Sequence, residues 1–178
     1  MKQPAAKTVA YMGILAAFAL TLSYIESLFP AVAGMPPGIK LGLSNVVTMF
    51  CLFFVGTPFA LVIVVLKAGF AFLIRGYTAG LLSFCGGAVA LTAMAPLLLL
   101  TKKRASVGFL SIVGAVAHNM GQITAAFVLL GSGAVFFYTP ILLLSGVAMG
   151  AVTGVVCRIV LPHIARFGGF GAKNSDNT

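Results

Sequence analysis

The stretch Thr78–Leu100, TAGLLSFCGGAVALTAMAPLLLL, holds no charged side chain, and the basic run Lys102-Lys103-Arg104 follows it. A helix that crosses the hydrocarbon core of a bilayer needs about 20 apolar residues. Within that core every backbone N–H and C=O must be satisfied internally, so an isolated apolar run of this length predicts a spanning helix. The basic flank is of the kind retained on the cytoplasmic side.

The rest of the chain repeats this pattern. Of 178 residues 61% are hydrophobic and 7% charged, against roughly 45–50% and about 25% in a soluble domain. The apolar runs, punctuated by proline, glycine and basic residues, predict an all-α, polytopic bundle of six transmembrane helices over residues 1–166. The helices are expected at about 8–29, 41–55, 59–74, 78–100, 107–130 and 135–161, with a disordered cytoplasmic tail over 167–178. The turns are read at Gly56-Thr57-Pro58, Arg75-Gly76-Tyr77 and Gly131-Ser132-Gly133. Helix 2, and helix 3 with it, are short for a full span.

Lys2 and Lys7 followed by an apolar run and Ala31-Val32-Ala33 imitate a secretory signal and its cleavage site. The run is long for that purpose and carries Glu26, so it reads as an uncleaved first helix. With the N-terminus inside, Lys2, Lys7, Lys102, Lys103, Arg104, Arg158, Arg166 and Lys173 fall at the inner side, and Lys40 and Arg75 outside. Eight against two places both termini in the cytoplasm. The first outer loop contains Pro30, Pro36, Pro37, Gly34 and Gly38. It reads as a stiff, shaped cover, with a plain connection as the alternative.

The formal net charge of +9 does not point to nucleic acid, because the basic residues sit between apolar runs and form no patch. Cys51, Cys85 and Cys157 each lie within an apolar segment, which argues for packing and against a disulfide framework or a metal site. No cofactor is implied.

A charge in mid-membrane costs about 2.5–3.5 kcal/mol, so the polar residues inside the helices are the functional candidates. Glu26 lies near the end of helix 1, Asn45 one turn into helix 2 just after Lys40, and Lys67 in the middle of helix 3. His118, Asn119 and Gln122 share one face of helix 5. Glu26 is the only acid outside the tail, so Lys67 is its natural partner. That pair could tie helix 1 to helix 3 or belong to a site, and the helix 5 trio could pack or line a pocket with Gly121 opening space beside it. Lys40, Lys67 and Arg75 against Glu26 favour an anionic or strongly polar ligand head, and the apolar walls an amphipathic ligand.

Small residues recur along Gly146, Gly150 and Gly154, along Gly114, Ala117, Gly121 and Ala125, and along Ala6, Ala10, Gly13 and Ala17. Such ribbons let helix backbones approach closely. The ribbon on helix 1 begins at the cytoplasmic interface, where a second membrane protein can dock.

The stretches Leu22-Ser23-Tyr24-Ile25-Glu26-Ser27, Gly38-Ile39-Lys40-Leu41-Gly42-Leu43-Ser44-Asn45 and His118-Asn119-Met120-Gly121-Gln122 resemble the bacterial Gx transporter family. Its members are often labelled heptaprenyl diphosphate synthase component I and look like the substrate-binding S components of energy-coupling factor (ECF) transporters. The resemblance runs from about Thr8 to Pro162. It implies a six-helix S-component-like fold in the bacterial cell membrane, a ligand site covered by the first loop, and docking through helix 1, where Ala6 and Ala10 match the Ala-x-x-x-Ala form. It also implies partners: a transmembrane coupling subunit and a pair of cytoplasmic ATPases. The chain itself has no Gly-x-x-x-x-Gly-Lys-Ser/Thr run. The alternative is a non-catalytic membrane subunit of isoprenoid or quinone biosynthesis. Prenyl diphosphate elongation needs carboxylate clusters to hold magnesium, and this chain has only Glu26 and Asp176.

Overall fold

The computed structural model describes residues 5–28, 43–101 and 105–167, and the side chains of 9–28, 44–101 and 105–160. The elements are α1 (Ala5–Leu28), α2 (Leu43–Phe50) continued by a π turn (Cys51–Val55), α3 (Thr57–Arg75), α4 (Tyr77–Leu100) and α5 (Val107–Leu130), then a 3₁₀ turn (Gly133–Tyr138) and α6 (Thr139–Phe167). No strand occurs among the described residues, and the six helices form an all-α bundle. Five of them are long and apolar enough to cross a membrane; α2 with its π turn is the short sixth. Val9, Phe18, Leu73, Phe137 and Leu144 are exposed on the outside, where lipid would be their solvent.

Several helix limits differ from the sequence expectation, for reasons that lie in the turns. Gly56 and Gly76 alone connect α2 to α3 and α3 to α4. Their φ values of 127° and 86° suit glycine, which has no Cβ to clash. Pro58 sits in the first turn of α3, where its missing N–H costs nothing, so α3 starts at Thr57 and reaches Arg75. Its 19 residues rise about 28 Å, so by length and composition α3 is long enough to cross a membrane. The expected helix 2 is two pieces, with Gly56 N donating to Cys51 O at 2.7 Å. Helix 6 begins at Thr139 behind a 3₁₀ turn and continues past Pro162 to Phe167. Helix 1 already starts at Ala5. The first loop, Lys102-Lys103-Arg104 and residues 168–178, on which the cover, part of the inner basic set and the disordered tail were read, lie outside the described residues.

Helices α3 to α6 pack antiparallel in chain order and are locked by small residues. A Cβ added at Gly146, Gly150 or Gly154 of α6 would press on Val116, Ile112 and Gly108 of α5 in turn. On the opposite flank of α5, a Cβ at Gly121 would lie 2.7 Å from the Cys85 carbonyl oxygen of α4. A Cβ at Gly87 of α4 would lie 2.6 Å from Val64 of α3. Helices α3 to α6 thus form a closely packed row. Against it lie α1, which meets α3, and α2, which meets α1, α3 and α6. The apolar core gathers around the far end of α2, where Phe50, Cys51, Ile63, Leu110 and Cys157 are at most 1% exposed. Phe50 stacks on Phe54 at 4.9 Å, and Cys157 Sγ lies 3.9 Å from Met49 Sδ.

Candidate functional site

On α1, Leu15, Ala19, Ser23 and Glu26 are all buried. Their four-, four- and three-residue steps put them on one helical face, so the carboxylate of Glu26 is carried inward by the same face that packs the helix. On α2, Ser44 and Thr48 are four apart and Asn45 three before Thr48, which again makes one face. Ser44 Oγ donates to Glu26 Oε2 at 2.9 Å, joining α1 to α2. Lys67, only 8% exposed in mid-α3, donates from Nζ to Asn45 Oδ1 at 2.8 Å. The expected partnership of Glu26 and Lys67 therefore includes α2: the described hydrogen bonds connect each of them to that helix, through adjacent residues.

On α5, His118, Asn119 and Gln122 face the same interior. Gly86 of α4 makes room for two of them, because a Cβ there would lie 2.8 Å from His118 Cε1 and 2.9 Å from Gln122 Cγ. Asn119 Nδ2 donates to the Leu142 carbonyl of α6 at 2.7 Å, past Gly146, whose added Cβ would come within 2.9 Å of that nitrogen. The Gln122 side chain makes no hydrogen bond among the described residues. Gly121 does not open space beside the trio as expected; α4 fills that space with its backbone. The space comes from Gly86 and Gly146.

These groups line a partly open cavity of ≈ 60 Å³, to which all six helices contribute. Glu26, Asn45, Lys67, His118, Asn119 and Gln122 all contribute to its wall, so six of the seven substrate-site residues chosen from sequence come together. The seventh, Lys40, lies outside the described residues. Arg75 is exposed at the end of α3 and is not among the lining residues, although its charge lies within electrostatic reach of Glu26. Among the described residues the charged side chains of the lining are one of each sign, Glu26 and Lys67. By volume the cavity takes about four to six waters, at ~10–15 Å³ each, or one small polar molecule.

Sequence reasoning passed over the hydroxyls and methionines of the same wall: Ser44, Thr48, Ser83, Ser111, Ser145 and Thr153, with Met49, Met94 and Met149. Their signal was helical phase, since Ser111 and His118 are two turns apart on one face of α5, as are Ser145 and Thr153 on α6. Beyond the methionines, the apolar core around Phe50 closes the bundle. Among the described residues no three His, Cys, Asp or Glu side chains gather as metal ligands.

Of the docking ribbon on helix 1, Ala10 and Gly13 face outward and are exposed. A Cβ at Gly13 would meet nothing within 4 Å. The side chain of Ala6 lies outside the described residues.

The family model described as heptaprenyl diphosphate synthase component I matches residues 15–160. No curated protein and no solved structure matches the chain.

Proposed function

This chain belongs to the heptaprenyl diphosphate synthase component I family, and we propose that it is the substrate-binding membrane component of an ECF-type uptake transporter. Its cargo would be a small amphipathic or anionic nutrient. The observation that carries this reading is the cavity, in which a carboxylate, an ammonium, an imidazole and three carboxamides from four helices line one small space. Each polar group placed there opposes membrane insertion, and helix packing alone does not require so many around one hollow. The apolar core beyond the methionines closes the bundle, which suits capture and release better than a continuous pore.

Helix α1 supports the same role, because its small residues Ala10 and Gly13 are turned away from the bundle. The chain carries no phosphate-cradling loop, so uptake would draw on a coupling subunit and a cytoplasmic ATPase pair. The protein would sit in the bacterial cell membrane with both termini cytoplasmic, in keeping with the Lys and Arg distribution. In that orientation Glu26, Ser44 and Asn45 stand toward the outside.

Catalysis by this chain is disfavoured, since Glu26 is the only acid on its helices and magnesium-assisted diphosphate chemistry wants several carboxylates. The family description itself favours the second reading, a non-catalytic membrane partner of a prenyl diphosphate synthase.

Native mass spectrometry of the gently purified protein separates the two. The expected result is a bound small molecule that Lys67→Met releases. A chain carrying no such molecule, in stable complex with a soluble prenyltransferase, would establish the accessory role instead.

A further inference from the structure

Below the level of Lys67 and His118 the cavity carries a second set of polar groups. Thr48 of α2, Ser111 of α5 and Thr153 of α6 are 6%, 3% and 5% exposed, and all three line it. Thr48 Oγ1 and Ser111 Oγ have no hydrogen-bond partner among the described residues. A buried hydroxyl left so costs about 1–3 kcal/mol, and either hydroxyl could have been avoided by valine or alanine. The close fit of α6 on α5 sets their level, because a Cβ at Gly154 would stand 3.4 Å from Ser111 Cβ. The turn bearing Thr153 is thereby held against the turn bearing Ser111.

Between the two polar levels the wall is soft and apolar, with Met94 and Met149 prominent. Thr48 lies three residues beyond Asn45, and Ser111 seven before His118. At the helical rise these steps are about 5 Å and about 10 Å.

We infer that this deep end is a second subsite, for an uncharged hydrogen-bonding group. The ligand is then a short molecule with a charged head at the level of Lys67 and His118 and a hydroxyl, carbonyl or amide about 5–10 Å away. The inference rests on the binding reading given above and narrows it. It also bears on the accessory reading, because the tail of a polyprenyl diphosphate would leave Thr48 and Ser111 facing hydrocarbon with no acceptor or donor.

The test uses the full chain in lipid nanodiscs, with butanoate, pentanoate and hexanoate as probes against their ω-hydroxy derivatives, binding being read by saturation-transfer NMR. At least one hydroxylated probe should bind about tenfold more tightly than its parent, as one added hydrogen bond allows. Thr48→Val and Ser111→Ala should each erase that advantage and melt no lower than the wild type, since each removes a buried hydroxyl that has no partner among the described residues. Equal binding of the two series, with both lost in Lys67→Met, overturns the deep subsite and leaves the head site standing. So does an equal weakening of both series in Ser111→Ala, which marks a structural hydroxyl. Binding of neither series to the wild type overturns both.

Discussion

At the scale of single residues, Asn119 and Gln122 separate two roles that look identical in the sequence. Both are carboxamides on one face of α5, and both line the cavity. Asn119, however, donates to the Leu142 carbonyl, so it also staples α5 to α6. Asn119→Leu should therefore lower stability by about 0.6–1.7 kcal/mol, from the average to the maximum measured for interhelical hydrogen bonds in a membrane protein, seen as a reduced melting temperature in detergent. Gln122 makes no such bond among the described residues, so Gln122→Leu should melt with the wild type while losing the co-purifying small molecule in native mass spectrometry. A matched loss of stability in the two variants would return both residues to packing. The candidate residues were legible because charge and amide groups are rare in this chain, and rarity inside a membrane is informative. The serine and threonine hydroxyls were not, since such side chains can satisfy themselves on their own helix. Only the packed bundle shows that Thr48 and Ser111 do not.

At the scale of helices, glycine is where sequence and structure inform each other most unevenly. A small-residue ribbon says that something comes close; it does not say which side of the helix is meant. Gly121 looked like space beside the polar trio, yet the Cys85 carbonyl of α4 occupies that side. Gly121→Ala should accordingly force apart two backbones and cost about 1–3 kcal/mol, the usual range for overpacking. Gly86→Ala presses instead on the imidazole edge of His118 and on Cγ of Gln122. Side-chain atoms can yield by rotation where backbone cannot, so the variant should lose less stability than Gly121→Ala while its small-molecule affinity falls, a split that paired thermal-melt and ligand-binding measurements would display. The order and approximate extent of the helices were readable from apolar runs. Their limits were not, because Pro58 reads as a turn residue but serves as the first turn of α3, and Gly56 and Gly76 make connections of one residue.

At the scale of the whole molecule, the small residues are divided between two duties. The glycines of α4, α5 and α6 are consumed inside the bundle, each with a neighbour within 4 Å of an added Cβ. Ala10 and Gly13 of α1 are exposed, and Gly13 has open space where a side chain would be. Bulk added there does not disturb the fold, so the double variant Ala10→Leu, Gly13→Leu isolates docking from folding. In the transporter reading it should keep the wild-type melting temperature and its bound small molecule, yet lose the coupling subunit and ATPases on affinity purification from native membranes. A helix exposed to lipid alone would tolerate the same change without consequence, because leucine is as much at home in hydrocarbon as alanine. Retention of the same partners by the double variant would mean that α1 faces only lipid, and that any energy-coupling module meets the bundle elsewhere.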